Sequence, residues 1–237
     1  FKISSMLLTV NNLTKSFSGK KILDNLNFKI PKGSIVGFLG PNGAGKTTTL
    51  RILSGFLKQD SGQVQFKGKD YSEYSYLIKN KIGYLPEKLP LYSNMNPHEQ
   101  ISLAINLHSI KNPQKEYERV VSLTKIDKIS NRLNKFLSRG FRQRVALALS
   151  LIGKPEIVFL DEPTTGLDPE QIVNFEKTIK DIKDKEGTSF VMSSHRLEII
   201  QQLCSRAFIL SDGKIKFDST IKDKNLKKIY LETIKEK

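Results

Sequence analysis

Apolar and polar positions alternate over the first part of the chain. Leu7 to Leu13 reads LLTVNNL and Leu26 to Ile30 reads LNFKI, short runs of the kind that half-buried strands show. Pro31 to Gly33 predicts a turn, and the continuous apolar run Ser34 to Leu39 (SIVGFL) predicts a strand buried on both faces. A Gly-rich loop follows, then a helix from about Lys46 to Phe56. Val64 to Phe66, flanked by Gly62 and Gly68, reads as a strand pair, and Ile82 to Leu85 as a further strand. From Asn96 to Leu149 the period changes: Ile101 and Ile105, or Val120 and Leu123, recur at helical spacing. Strands at Ile157–Leu160 and Ser189–Met192 then alternate with helices at Pro169–Lys185 and Arg196–Leu203. Ala207–Leu210 and Lys214–Phe217 read as a hairpin around Asp212-Gly213. Past Thr220, Leu226, Ile229, Tyr230 and Ile234 keep helical spacing in a Lys-rich tail. The pattern predicts an α/β core with a helical insertion between Pro86 and Pro155.

Composition changes this picture in three ways. With 38% hydrophobic residues the chain of 237 residues can build a core, which excludes a disordered chain. Cys204 is the single cysteine, so no disulfide framework exists and a reducing compartment is expected. No stretch approaches the roughly 18 apolar residues of a membrane span. Phe1 to Val10 has no basic region followed by a long apolar run, so neither a span nor a secretory signal is expected, and the chain reads as cytosolic. The net charge of +15 permits nucleic acid, an anionic membrane or an anionic ligand and selects none of them. Lysines scattered over solvated faces would account for it equally well.

The chemistry begins at Gly40-Pro41-Asn42-Gly43-Ala44-Gly45-Lys46-Thr47-Thr48, which fits G-x-x-x-x-G-K-[ST] with a strand before it and a helix after it. The glycines let successive N–H groups turn toward one phosphate, and the helix adds its positive end. Lys46 can reach β- and γ-phosphates, and the Thr47 hydroxyl can ligate Mg²⁺. Ile157 to Glu162 reads IVFLDE: a buried strand that ends on Asp161, a candidate second anchor for Mg²⁺, and then Glu162, a candidate general base or water-orienting group. Ser138 and Gly140 open another helix, and its N–H groups with the Ser138 hydroxyl make a second anion-binding end.

These residues resemble the ATP-binding subunit of an ATP-binding-cassette (ABC) transporter. The resemblance rests on the phosphate loop, on LSRGFRQ at Leu137 to Gln143 as a divergent form of the family's LSGGQ signature, and on LDEPTTGLDP at Leu160 to Pro169. It implies a P-loop NTPase core with an antiparallel β subdomain. The ATP-binding domain would span 7–217, its helical subdomain about 88–150, with a C-terminal helical tail at 218–237. It implies that Ser138 and Gly140 cap the γ-phosphate held by the other protomer of a dimer, and that Phe17 stacks on adenine where the family more often has Tyr. Asp168 would lie in a loop crossing the dimer interface, and His195 would contact the γ-phosphate and orient the water. Glu162, His195 and Lys46 are then the catalytic candidates, with ATP and Mg²⁺ as ligands. Glu87, in YLPE, stands where the family usually has a metal-contacting Gln; a carboxylate still offers oxygen to Mg²⁺. The YLPE form and the tail LKKIYLETIKE resemble subunits that drive exporter-type permeases of the multidrug and gliding-motility branches.

The implied partners are an integral membrane permease and a second cassette, identical or paired, with the helical insertion and the loop around Glu87 as docking surface. The implied place is the cytoplasmic face of the cell membrane. The rival reading is a cassette ATPase acting on ribosomes or nucleic acid. The 92 residues from Lys46 to Ser138 carry no sustained heptads, and the chain holds one cassette, so nucleic acid is not the expected partner. A small-molecule phosphoryl transferase would lack the signature.

Overall fold

The computed structural model describes residues 6–71, 78–221 and 224–235. Two sheets carry the chain. In the first, β1 (Met6–Phe17), β2 (Lys20–Pro31), β4 (Ser61–Phe66) and β5 (Lys69–Asp70) run antiparallel in the order β2-β1-β4-β5. In the second, β3 (Ile35–Leu39), β6 (Ile82–Leu85), β7 (Ile157–Leu160), β8 (Ser189–Ser194), β9 (Arg206–Ser211) and β10 (Lys214–Thr220) lie in the order β10-β9-β3-β8-β7-β6. All neighbours in it are parallel except β9 with β10.

Burial explains the sheet order. Every residue of β3, β7 and β8 is buried, as expected of central parallel strands covered on both faces. One face packs on the antiparallel sheet, where Phe28, Phe38 and Phe208 meet at ring-centroid distances of 5.3, 4.9 and 5.1 Å. The other face is covered by helices.

Helix α1 (Lys46–Leu53) packs with the antiparallel side. It stops three residues before the end that the apolar pattern suggests. Gly55 takes φ +78, and the Phe56 N–H folds back to the Arg51 carbonyl. The helical block between β6 and β7 is three helices: α2 (Pro97–Leu107), α3 (Pro113–Thr124) and α4 (Arg139–Ser150). Asn96 and Glu99 close a reciprocal capping box that starts α2, and Pro113 starts α3. Then α5 (Pro169–Glu186), α6 (Leu197–Leu203) and α7 (Leu226–Lys235) complete the helices named here.

One part-buried cation ties the helical block to the rest. Arg119 on α3 donates to both Glu116 oxygens at 2.9 and 2.7 Å and to both Glu186 oxygens at the end of α5 at 2.8 and 2.7 Å. It also donates to the Leu151 carbonyl after α4 at 2.7 Å. Burial raises the Glu116 carboxyl, but hydrogen bonds from Arg119 and the Gly153 N–H outweigh it and hold the group below the ordinary glutamate range.

The β1–β2 ribbon is longer than the alternating runs suggest, reaching Phe17 and starting at Lys20. Its register shifts between Val10 and Leu13 and again between Leu13 and Lys15, and Asn12 sits at φ +51. Bulges of this kind break the period of two that marks a strand.

Candidate functional site

Four parallel strands, adjacent in the order β3-β8-β7-β6, deliver the candidate residues from their C-terminal ends. From β3 comes the loop Gly40–Gly45, from β8 His195, from β7 Asp161 and Glu162, and from β6 Glu87. Ends of neighbouring parallel strands are where open α/β sheets place their ligands.

The loop is shaped for an anion. Gly45 caps α1 at φ +104, and a Cβ there would meet Leu23 Cδ2 at 2.5 Å. At Gly40 a Cβ would lie 2.2 Å from the Leu210 carbonyl oxygen, so the loop passes too close to β9 for a side chain. Helix α1 starts with no side-chain cap and no acidic residue in its first turn. Its first N–H groups therefore face the loop with nothing from a side chain to satisfy them.

Lys46 is 6% exposed and donates to the Gly40 and Pro41 carbonyls at 2.8 and 3.1 Å. Burial pulls its ammonium below the ordinary lysine range, and the carboxylates of Glu162, Asp161 and Glu87 act against that shift. Its Nζ is 3.7 Å from Glu162 Oε1, while His195 Nδ1 is 3.0 Å from Glu162 Oε2. Glu162 is thus gripped at both oxygens. Its backbone sits at φ +47, a left-handed conformation that costs a non-glycine residue about 1 kcal/mol or more. Thr47 Oγ1 donates to Asp161 Oδ1 at 3.0 Å. Phe17 stands at the end of β1, 47% exposed, so it is not a core residue. Phe17, Glu87, Glu162 and His195 all line one cleft of about 640 Å³ with the phosphate loop.

Ser138, Gly140 and Asp168 do not line that cleft. Ser138 caps α4 by accepting from the Phe141 N–H at 3.4 Å. Asp168 caps α5 by accepting from the Gln171 N–H at 2.8 Å. Ser138 and Gly140 face a different hollow, together with Leu167 and Gln171. Gly140 lies so close to α5 that a Cβ would meet Gln171 Cδ at 2.8 Å. The Arg139 side chain, which makes the signature divergent, lies over Gly166.

A sequence model of the family described as "ABC transporter" matches residues 23–165, more than half of the chain. The chain is 32% identical to the lipopolysaccharide export system ATP-binding protein LptB of Haemophilus influenzae, covering 95% of this chain and 97% of that one. It is 34% identical to the lantibiotic transport ATP-binding protein SrtF of Streptococcus pyogenes, covering 88% and 89%. The chain belongs to the ABC transporter family. It is an ATPase subunit of such a transporter.

The solved structure of cbiO1 from Clostridium perfringens, part of the ABC transporter complex cbiONQ, superposes with a TM-score of 0.85. At 24% identity over 96% of this chain and 93% of that one, it speaks for the ABC ATPase fold.

The donor set of this ABC ATPase suits magnesium. Thr47 and Asp161 bring two hard oxygens within 3.0 Å of each other. Among the described residues no cluster of three or more His, Cys, Asp or Glu could cage an ion. Magnesium keeps several waters and takes one or two protein oxygens plus phosphates, so this sparse set fits it.

Three residues of the ABC ATPase site escape the sequence reading: Ile22 and Thr165, which line the cleft, and Ser193 beneath it. Ser193, fully buried on β8, donates to Asp161 Oδ1 at 2.7 Å and accepts the Glu162 N–H at 2.8 Å. It sets both acidic residues at once. Its only signal in the sequence is a pair of serines ending the apolar run FVMSS. Ser193→Ala leaves a buried N–H and a buried carboxylate each short of a partner. The expected loss of stability is about 1–3 kcal/mol, read from urea unfolding. kcat should fall while the Kd for ATP holds. An unchanged kcat in a folded variant removes Ser193 from the site.

Proposed function

We propose that this ATPase works as a head-to-tail pair. The phosphate loop of one copy is closed by the Ser138 end of α4 in the other, and the pair drives a separate membrane-spanning subunit of exporter type. One observation carries the reading: Lys46, Thr47, Glu162 and His195 share a cleft, and Ser138 and Gly140 lie outside it. A second copy would bring the missing anion-binding end. Among the described residues no helix is long and apolar enough to cross a membrane, so translocation falls to another subunit. The relatives named for lipopolysaccharide export and lantibiotic transport, with the YLPE form at Tyr84–Glu87, support export.

Each residue then has a role. The loop N–H groups of Asn42, Gly43, Ala44, Gly45, Lys46, Thr47 and Thr48 cradle phosphate, and Lys46 neutralises its charge. Phe17 offers a ring face at the rim for adenine. Glu162 accepts a hydrogen bond from the attacking water and orients it. His195 and Lys46 hold the Glu162 carboxylate still. Thr47 and Asp161, with Glu87 from the neighbouring strand end, hold Mg²⁺, which when bound supplies positive charge to the phosphate oxygens.

Mixing two inactive variants tests the pairing. Lys46→Ala disables the phosphate loop, and Ser138→Phe blocks the α4 end. A mixed head-to-tail pair contains one intact site, so the mixture should regain ATPase activity that neither variant has alone. No regain from two folded variants means that the site closes within one chain.

Glu87 is tested by titrating Mg²⁺ against ATPase rate. A carboxylate draws a divalent ion more strongly than an amide does. Glu87→Gln should stay active and need a few-fold more Mg²⁺ for half-maximal rate, and Glu87→Ala should need more again. Identical curves for all three remove Glu87 from the metal.

A further inference from the structure

Three elements converge behind Asp161. Helix α1 brings Thr47 and, one turn further on, Arg51. Strand β7 runs out at Asp161, and β6 lies beside it, with Tyr84 paired to Phe159. The Asp161 N–H still bonds the Leu85 carbonyl at 2.9 Å, so the strand alternation carries on past Leu160. Phe159, Asp161 and Tyr84 therefore share one face of the sheet, the face on which α1 packs. Phe56 holds the Tyr84 ring in place, with centroids 5.1 Å apart.

The Tyr84 hydroxyl at this junction is buried, and among the described residues it has no hydrogen-bond partner. Two charges act on it, the Asp161 carboxylate and the Arg51 guanidinium. Burial raises the phenol above the ordinary tyrosine range, Asp161 adds to the rise, and Arg51 opposes it. The phenol therefore stays neutral, with one O–H to give and lone pairs to accept. Arg51 can donate to it and it can donate to Asp161, yet neither bond is made in this structure. Asp161 meanwhile takes Thr47 and Ser193 on the same oxygen, Oδ1, at 3.0 and 2.7 Å. A buried hydroxyl kept without a partner is rare in a native fold and calls for a reason.

We propose that Tyr84 is a positioning residue for the metal anchor: its hydroxyl is held in reserve and donates to the Asp161 carboxylate once a divalent cation is in place. The proposal rests on the reading that Asp161 and Thr47 hold Mg²⁺, and it adds a third donor to the carboxylate. A carboxylate that serves a metal must keep one orientation, and groups that hydrogen-bond it from behind set that orientation. Thr47 and Ser193 fix one oxygen, Oδ1; a donor from β6 fixes the plane of the group. Arg51, by occupying the phenol's lone pairs, turns the O–H toward Asp161. Tyr84 does not line the nucleotide cleft, so it acts through Asp161 alone.

Tyr84→Phe is the test, since it removes the hydroxyl and keeps the ring against Phe56. The probe is Mn²⁺, bound to the full chain with a non-hydrolysable ATP analogue and followed by electron paramagnetic resonance. Mn²⁺ affinity should fall about tenfold or more, the usual cost of losing such a partner. Urea unfolding without metal or nucleotide should show a midpoint unchanged or raised, because the hydroxyl bonds nothing in that state. Tyr71→Phe is the mirror control. The Tyr71 hydroxyl donates to the Leu53 carbonyl at 2.9 Å, so this variant should lose stability and keep Mn²⁺ affinity within about twofold of the parent. For Tyr84→Phe, Mn²⁺ affinity within about twofold of the parent overturns the proposal. A lowered urea midpoint for Tyr84→Phe overturns it too, since the hydroxyl would then already be bonded without metal. Asp161→Asn separates the proposal from its foundation. If Asp161→Asn weakens Mn²⁺ and Tyr84→Phe does not, the role of Tyr84 alone falls; if neither does, the metal reading of Asp161 falls with it.

Discussion

Glu162→Gln is expected to keep ATP and stop splitting it. The amide retains the size of the side chain: its oxygen can still face Lys46, and its NH2 can donate to the His195 ring nitrogen, the two groups that lie 3.7 and 3.0 Å from the carboxylate oxygens. It cannot take a proton. Losing a positioned base costs typically 10²- to 10⁴-fold in kcat. ATP binding rests on the phosphate loop and Lys46, so the Kd should move little. A stalled nucleotide should also hold two copies together. Light scattering should therefore report a dimer with ATP and mostly monomer with ADP. Turnover at the parent rate excludes Glu162 as the group that orients the water.

Lys46→Ala should fail at the earlier step. The ammonium is the cation the loop presents to β- and γ-phosphates, and it lies between that loop and two carboxylates, Asp161 and Glu162. Without it the triphosphate faces those carboxylates uncompensated. A hydrogen bond to a charged group contributes about 1.5–3 kcal/mol, roughly 10- to 150-fold in affinity. ATPase at low ATP should drop by about 10²- to 10³-fold, since the same charge serves the transition state. Isothermal titration should show ATP losing more than ADP, which lacks the γ-phosphate. Parent-like affinity for ATP would move the phosphate site away from this loop.

The phosphate loop and the acidic strand end were legible because their chemistry is local. Glycines, a lysine and a threonine must stand at fixed offsets to wrap a phosphate, and IVFLDE places two acids where a buried strand surfaces. Ser138 was legible as a cap for the same reason. Ser193 was not, because its partners lie 32 and 31 residues away and meet it only when β8 pairs with β7. Nor was the Arg119–Glu186 pair, 67 residues apart. Strand ends past Asn12 were hidden by bulges, and the splitting of the helical block depends on caps and turns that an apolar period does not report. Phe17 could be singled out only through the family resemblance; its exposure is a fact of three dimensions.

Helix α5 joins two of these distant features. It begins under the Asp168 cap and ends at Glu186, whose carboxylate holds Arg119 of the helical block. Its 18 residues span about 27 Å. A helix resists compression along its axis, so it works as a pushrod. A displacement imposed at Asp168 arrives almost undiminished at Glu186, and there Arg119 must follow or release its grip. The helical block and the loop before α5 thus form the two ends of one lever, with the part-buried ion pairs of Arg119 as its coupling pin.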